Sequence, residues 1–514
     1  MALLIRSLAL LLLLTLVAHA PARAEARFIS LSYHEVLADD EPLTPTAVRA
    51  SDLAAQFAWL QANGWQPVSV DQILAARAGG PPLPPKAVLL TFDDGKKDVY
   101  TRAFPLLKLF RYPAVIALVG KWLEVPEGQT VDYDGKPLPR SAFVTWENVR
   151  EMQASGLVEV ASHSHDLHHG IPANPQGNTQ PAATTRLYAN GRYEDDAAFA
   201  ARLRADLRDS ISPHTGRKPR IIVWPYGRSN LAAQEIAAEL GMPIGLTLVD
   251  GFNDAATPKA VWRRQLIENS PSLQAFAELM RVSWAPNPAR SVKVDPGSWP
   301  VGEDGLSPAL DQLLTLSPNI AFVRPAVLRE GREAVLFPTP RRPLAVDTLN
   351  HIAWQTERRA GVPVFIDLPP PWLDEPELVA DLARQVNFAG LRVKAMPGSR
   401  ATVQVRRAAA RWVWPLQMAY VMDQVPPVDV WNQLPAGDLI VLPADEPIIA
   451  ALPPGVGSRV LLEFNPTLPS AATARRMRQL EAAGFRQFGL AGLPETGSDP
   501  RSPSLSLRVQ PQLR

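Results

Sequence analysis

Short apolar runs alternate with helix-like stretches between Phe28 and about residue 287. The run at residues 87–92 is almost continuously apolar, as expected of a parallel strand that is buried on both faces. Residues 53–63 have the period of an amphipathic helix, and Gly64 follows them as a stop signal. Repeated strand-then-helix units predict an α/β domain with a closed or nearly closed barrel. Its other predicted strands are residues 28–33, 114–119, 158–161, 221–224 and 244–248, and residues 170–185 are predicted as a loop.

The same alternation resumes after a proline-rich interruption at residues 284–300. We place the first domain at 28–288, a linker at 289–300, a second α/β domain at 301–498 and a flexible tail at 499–514. A full eight-unit barrel usually takes about 250 residues. We therefore predict a shortened (β/α) barrel-like second domain. Its predicted strands are residues 320–323, 364–366, 390–393, 439–442 and 460–464.

The N-terminus has the pattern of a secretory signal peptide. Arg6 precedes an apolar run at residues 8–17, and two A-x-A sites follow, ending at Ala20 and Ala24. We predict cleavage after residue 24 and a periplasmic or secreted protein, with no transmembrane segment afterwards. The alternative is an uncleaved membrane anchor, but the run is shorter than the roughly 20 residues that span a bilayer.

Composition narrows the classes of function. The 514 residues contain 52 Lys plus Arg and 51 Asp plus Glu, a net charge of +1, which argues against a dominant nucleic-acid role. The chain has no cysteine, which excludes disulfides, a thiolate metal site, a catalytic cysteine and a lipid anchor on cysteine. The 52 prolines favour long loops and short elements.

Two clusters of polar residues follow predicted strands. Thr-Phe-Asp-Asp-Gly at residues 91–95 places Asp93 and Asp94 at the end of a buried strand. Four of the eight histidines stand between His163 and His169, just after the strand at 158–161. One carboxylate with two imidazoles is the ligand set of a catalytic divalent metal with open positions. A second carboxylate, not bound to the metal, can act as general base on a metal-activated water.

These motifs resemble those of the polysaccharide deacetylases of carbohydrate esterase family 4. The resemblance implies a deformed (β/α) barrel of the NodB homology type. It also implies that Asp93 is the general base and that Asp94, His163 and His168 bind the metal. His165 and His169 are then neighbours rather than ligands.

Two further family positions are filled in a different way here. Trp-Pro-Tyr-Gly at residues 224–227 stands where the family's third motif provides an oxyanion-binding backbone N–H, which the resemblance assigns to Tyr226. The arginine that usually opens that motif is missing in its usual form, and Arg264 is a candidate substitute. The family's general-acid histidine is also missing near the end of the domain, whereas His34 ends the first predicted strand. A circular permutation would bring His34 to the vacant place.

This permuted order resembles the bacterial deacetylases that act on poly-β-1,6-N-acetylglucosamine, the biofilm exopolysaccharide. Their second domain is a glycoside-hydrolase-like barrel. Here no carboxylate ends the strand at 390–393, so we predict a degenerate domain that does not cleave glycosidic bonds. Its surviving acids near a strand end are Asp367, Asp374 and Glu375, and three tryptophans offer either sugar stacking or core packing: Trp372, Trp412 and Trp414.

We therefore expect a metal-dependent N-deacetylase of an N-acetylglucosamine polysaccharide, most simply poly-β-1,6-N-acetylglucosamine. Zinc is the default metal, with cobalt, nickel and iron chemically allowed. An outer-membrane export partner is compatible with the resemblance. Two alternatives stay open: deacetylation of another glycan (peptidoglycan, chitin or xylan), and a non-catalytic glycan-binding accessory in export.

Overall fold

The computed structural model describes residues 26–208, 210, 215–281, 287–299, 303–467, 470–493 and 507. The predicted signal peptide at 1–24 lies outside these residues. The chain divides into two compact units. The first takes the chain up to His168 together with Ala205–Gly227 and Ala237–Trp284, and the second takes His169–Arg204, Arg228–Ile236 and the chain from Ala285.

The first unit is built on one parallel sheet with helices between its strands. The strands are β1 Phe28–Tyr33, β2 Gln66–Pro67, β3 Ala87–Phe92, β4 Ala114–Leu118, β5 Val158–Ser162, β6 Ile221–Val223, β7 Ile244–Leu246 and β8 Gln265–Leu266. Their order is β7-β6-β5-β4-β3-β1-β8, and β2 pairs with β3. Every residue of β1, β3 and β4 is buried, as their near-continuous apolar sequences predict. The predicted α/β fold with a deformed parallel barrel is confirmed.

The one helix whose range was predicted in this part of the chain lies close to its predicted position. Residues 53–63 were expected to be helical, and the observed helix is Ala50–Ala62, with Leu53, Phe57 and Leu60 buried. The helices are Ala50–Ala62, Val70–Arg77, Phe104–Phe110, Gly120–Glu124, Trp146–Ala154, Asp196–Arg208, Leu231–Glu239 and Leu273–Arg281. No helix within the described ranges is long and apolar enough to span a membrane.

The second unit contains a closed barrel of eight parallel strands. These are β9 Arg290–Val294, β10 Ile320–Val323, β11 Val364–Asp367, β12 Gly390–Val393, β13 Gln417–Val421, β14 Leu439–Pro443, β15 Val460–Phe464 and β16 Gln487–Leu490. The helices that connect them are Glu303–Leu316, Leu349–Ala360, Pro376–Gln385, Arg400–Ala410, Val428–Gln433, Glu446–Ala450 and Ser470–Ala482. The prediction of an α/β second domain is confirmed, but the prediction that it falls short of eight strands is wrong.

Short elements explain how the barrel closes in so few residues. Its strands have four or five residues each, and the helices Val428–Gln433 and Glu446–Ala450 have only six and five. About 200 residues is the lower limit for this architecture. The stretch predicted as a linker contains β9, so the linker prediction is wrong for residues 290–294. Leu507, the one described residue of the predicted tail, is buried and donates its backbone N–H to Leu316 O.

Residues 169–204 interrupt the first unit in sequence and belong to the second. They contain two small hairpins, Gly170–Pro172 with Thr179–Pro181 and Tyr188–Ala189 with Arg192–Tyr193, where a loop was predicted for 170–185. Within the second unit, Gln180 Nε2 donates to Asn350 Oδ1 at 3.0 Å. Asn350 Nδ2 donates in turn to Ala173 O at 2.9 Å. These buried bonds fix the segment to the helix Leu349–Ala360.

Candidate active site

The chemistry-bearing residues of the first unit gather where its strands end. Asp93 and Asp94 follow β3, His163 follows β5, and His34 follows β1. Because parallel strands present their carboxyl ends at one edge, residues distant in sequence meet there. β1 pairs in parallel with both β3 and β8, so the first and last strands of this unit are neighbours, as a permuted barrel requires.

Three of these side chains form a buried cluster. Asp94 Oδ1 lies 3.5 Å from His163 Nε2 and 3.5 Å from His168 Nε2. One ligand atom from each residue falls within 4.8 Å of the others. Burial alone raises the pKa of Asp94, but His163 and His168 hold that pKa well below its ordinary range. The structure thus brings together the three residues predicted as metal ligands.

The backbone and a neighbouring strand orient this cluster. Asp94 has a left-handed backbone (φ 71°), which turns its side chain away from the direction of β3 immediately after Asp93. His163 Nδ1 is 2.6 Å from Val223 O at the end of β6. That bond makes Nδ1 the protonated nitrogen and leaves Nε2 as the lone-pair atom that faces Asp94.

The donor set fits a divalent metal. Asp94 Oδ1 is buried and has no hydrogen-bond partner among the described residues, although it faces two imidazole nitrogens. A buried carboxylate oxygen in that state lacks a cation or a donor. One oxygen and two nitrogens with further positions open is the ligand set of a catalytic zinc or a related ion. Asp94, His163 and His168 are therefore the residues that could hold such an ion.

Asp93 has a different environment from its neighbour. Arg264 Nη1 lies 2.7 Å from Asp93 Oδ1, and also donates to Thr91 Oγ1 at 3.0 Å. Burial by itself raises the pKa of Asp93, but Arg264, together with His163 and His34, holds the pKa below its ordinary value. Arg264 therefore favours the ionised form of the Asp93 carboxylate and fixes its position, while the role of Asp93 as general base remains a prediction. That Arg264 substitutes for the family's missing arginine remains a prediction.

His34 lies on the other side of the same carboxylate. Its Nε2 is 3.8 Å from Asp93 Oδ2, and its side chain is 12% exposed. Asp93 N also donates to Tyr33 O at 2.9 Å, which ties the end of β3 to the end of β1. The structure therefore places His34 at the same end of the sheet as Asp93. Its role as general acid remains a prediction.

Tyr226 lies beside the histidine cluster in a strained conformation. Its backbone is left-handed (φ 57°, ψ 15°), which is rare for a residue other than glycine. Its ring is 4.5 Å from the His168 ring, measured between centroids. Its hydroxyl donates to Asp134 Oδ1. The oxyanion-binding role of its backbone N–H remains a prediction.

A hairpin that sequence reasoning missed contributes two more groups. We call Thr130–Tyr133 and Lys136–Pro139, with the turn between them, the site hairpin. Its Tyr133 hydroxyl donates to Asp94 Oδ2 at 2.5 Å, and its Asp134 lies 3.7 Å from His168 Nδ1, measured from Oδ1. The Asp-Gly pair at the turn was a usable signal, since it is typical of a two-residue hairpin loop.

The two remaining clustered histidines stand apart from these groups. His165 Nε2 lies 3.8 Å from Glu124 Oε2, and the His165 backbone N–H donates to Asp206 Oδ1 at 2.9 Å. His169 is exposed. Neither belongs to the group with Asp94 among the described residues, and their assignment as neighbours rather than ligands remains a prediction.

Comparison with known proteins identifies the family of this site. Residues 80–245 match the family described as polysaccharide deacetylase, a range that includes the aspartate pair and the histidine cluster. The chain is 34% identical over 355 residues to a poly-β-1,6-N-acetyl-D-glucosamine N-deacetylase from Escherichia coli K12. That similarity covers 66% of this chain and 53% of the relative, so the chain spans about half the length of this relative. A Staphylococcus aureus protein of the same name is 22% identical over 247 residues, covering 45% of this chain and 74% of that protein.

Two solved structures are similar to part of the chain. A de-N-acetylase from Aggregatibacter actinomycetemcomitans is 39% identical, with a TM-score of 0.46, and covers 49% of this chain and 99% of its own. A deacetylase domain from Bordetella bronchiseptica is 45% identical, with a TM-score of 0.43, and covers 47% of this chain and 96% of its own. The family match over residues 80–245 shows that the chain carries a domain of the polysaccharide deacetylase family.

Proposed function

We propose that the protein is a metal-dependent N-deacetylase that removes acetyl groups from poly-β-1,6-N-acetylglucosamine outside the cytoplasm, in the production or export of a biofilm polysaccharide. One observation carries the proposal. Asp94 Oδ1, His163 Nε2 and His168 Nε2 converge beside an Asp93 carboxylate that is paired with Arg264. A ligand set next to a separate, ionised base is the arrangement that amide hydrolysis by an activated water needs.

Each residue has a distinct task in this reaction. When bound, a divalent cation supplies polarisation of the acetamide carbonyl and of the attacking water. Asp93 accepts the proton of that water, and Arg264 keeps its carboxylate ionised and oriented. The backbone N–H of Tyr226 donates to the oxygen that becomes negative as the carbonyl is attacked. His34 delivers a proton to the nitrogen of the departing amine, which completes cleavage of the C–N bond.

The choice of polymer rests on relatives and on the permuted order of motifs. The Escherichia coli and Staphylococcus aureus proteins are named as deacetylases of poly-β-1,6-N-acetylglucosamine. Zinc is the proposed metal, since aspartate and two histidines suit it by default. A leader at 1–24 and an outer-membrane partner in export belong to the same proposal.

Acetate release from defined oligosaccharides tests the proposal. The full chain, loaded with zinc, is incubated with β-1,6-linked N-acetylglucosamine pentamer, with β-1,4-linked chitin pentamer and with acetylated xylan. We expect acetate from the first substrate, and none from the Asp93→Asn variant. Acetate release only from chitin pentamer or xylan would show that the substrate is a different polymer. No release from any glycan, with binding retained, would favour a non-catalytic accessory protein.

A further inference from the structure

The two histidines that face Asp94, His163 and His168, differ in the hydrogen bonding of their Nδ1 atoms. His163 Nδ1 has a fixed acceptor, the carbonyl oxygen of Val223 at 2.6 Å. His168 Nδ1 is buried and has no hydrogen-bond partner within the described residues. Among the described residues, the carboxylate oxygen Asp134 Oδ1 lies 3.7 Å from this nitrogen. That distance is too long for a hydrogen bond, but it is short enough for a small movement to close.

A histidine that binds metal through Nε2 carries its proton on Nδ1 and almost always donates it to a carboxylate or carbonyl. This second bond fixes the tautomer, holds the plane of the ring and strengthens the ligand. His168 has the first half of this arrangement, because its Nε2 faces Asp94 Oδ1. We propose that Asp134 is the positioning residue that supplies the second bond: its Oδ1 accepts a hydrogen bond from the His168 Nδ1–H when the metal is bound.

Asp134 also restrains a second part of the site. The Tyr226 hydroxyl donates to the same Asp134 oxygen that faces His168. The direction of the Tyr226 backbone N–H depends on the left-handed conformation of that residue, and the bond from its hydroxyl to Asp134 restrains its side chain. One carboxylate therefore links a metal histidine to the residue that would stabilise the oxyanion. This part of the inference rests on the proposed deacetylase function.

The site hairpin holds Asp134 in position for both contacts. Asp134 and Gly135 both have positive φ (51° and 78°), as a tight two-residue hairpin turn requires. Tyr133 is fixed through its hydroxyl to Asp94, and Lys96 Nζ lies 4.0 Å from the centre of its ring. Thus the same hairpin contacts the carboxylate ligand through one residue and the second histidine through the next.

Zinc affinity of the full chain separates this role from catalysis. The dissociation constant is measured by competition with a chromophoric chelator for the wild type, Asp134→Ala and Asp134→Asn. Loss of the group that accepts a hydrogen bond from a metal-binding histidine usually weakens metal binding by about 10–100-fold. We expect that loss in Asp134→Ala and a smaller loss in Asp134→Asn, because asparagine keeps an acceptor oxygen.

Asp132→Asn is the matched control on the same hairpin. Asp132 Oδ1 accepts the Gly135 backbone N–H, and asparagine preserves this bond while removing the same charge. We expect its zinc affinity to stay within twofold of the wild type. Asp134 is 43% exposed, so its variants are expected to fold, and circular dichroism of the metal-free proteins checks this.

Two results would overturn the assignment. One is an Asp134→Ala protein that is folded and binds zinc within twofold of the wild type. The other is an equal loss of zinc affinity in Asp132→Asn, which would show that removing any negative charge from the hairpin weakens zinc binding. Zinc binding can be measured without any glycan, so the two proposals can fail separately. If the wild type deacetylates no glycan but Asp134→Ala still weakens zinc binding, the proposed function is contradicted and the positioning role of Asp134 is supported.

Discussion

Arg264 Nη1 lies 2.7 Å from Asp93 Oδ1, and both side chains are almost completely buried. Removing one partner of a buried ion pair leaves an uncompensated charge, which destabilises a protein by about 3–5 kcal/mol. We predict that Arg264→Met lowers the free energy of unfolding by about that amount and abolishes acetate release. Denaturant unfolding measures the first effect. Arg264→Lys, which keeps the charge, should lose less stability, and equal losses in the two variants would contradict this explanation.

The two adjacent aspartates should respond differently to the same substitution. Asp94→Asn, His163→Ala and His168→Ala remove ligand atoms, so we predict loss of bound metal together with loss of activity. Asp93→Asn should retain metal and lower turnover by about 10²–10⁴-fold, the usual contribution of a general base. Metal analysis of the purified proteins tests the difference. Asp93→Asn depleted of metal as severely as Asp94→Asn would overturn the assignment of roles.

His34 should matter for turnover and not for metal binding. Its Nε2 is near Asp93, and it is not a member of the ligand group. We predict that His34→Ala lowers turnover by about 10²-fold, as expected for loss of a general acid, with zinc affinity unchanged. His165→Ala is the comparison, because His165 lies against Glu124 and should leave turnover within a few-fold. An equal effect of the two substitutions would show that His34 is only structural.

Asp98 should give the protein a pH-dependent stability. Burial raises the pKa of Asp98 to about 7, from 3.8 for a free aspartate. Between these values the folded chain binds a proton that the unfolded chain does not, so the free energy of unfolding falls as pH rises toward 7. We predict that Asp98→Asn is the more stable protein at pH 8, by at most about 4 kcal/mol, and that the gain vanishes near pH 4. Unfolding at pH 5 and pH 8 tests this, with exposed Asp40→Asn expected to show no gain.

The second barrel should not cleave the polymer. Glycoside hydrolysis needs two carboxyl groups that are available to the scissile bond. Arg392 bridges two carboxylates of the barrel strands, with 2.8 Å to Asp367 Oδ1 and 2.8 Å to Glu463 Oε2. Lys293 adds a further contact to Asp367 at 3.0 Å. The full-length Asp93→Asn variant, incubated with partly deacetylated polymer, should therefore produce no shorter chains. Cleavage of the polymer that disappears when Asp367→Asn is added would refute this prediction.

The positions of the site residues could be predicted because strand ends are visible in the sequence. A buried apolar run that stops at Asp93, and another that stops just before His163, place both at one edge of a parallel sheet. The pairing of Asp134 with Tyr226 was not predictable in this way. Residue 134 stands on a small hairpin between strands, and only the tertiary structure brings it to the end of β6.

Barrel closure was missed for a related reason. The strands β9, β13 and β16 each begin with a polar residue, and β9 also contains Ser291 and Lys293, so the sequence pattern did not mark them as buried strands. Adding these three to the five predicted strands gives the closed ring. Arg290, Gln417 and Gln487 are accommodated because each is tied down by polar contacts or lies at a strand end.

The segment 169–204 decides how the chain can be divided in the laboratory. A cut near residue 284 separates the two halves in sequence, yet it removes the helix Leu349–Ala360 on which this segment is anchored. Gln180 and Asn178 would lose Asn350 and His351, the partners of two hydrogen bonds of 3.0 and 2.6 Å. The orphaned segment begins one residue after His168. A protein cut there would therefore carry residues 169–204 without the helix that anchors them, so experiments on the deacetylase are better done on the full chain.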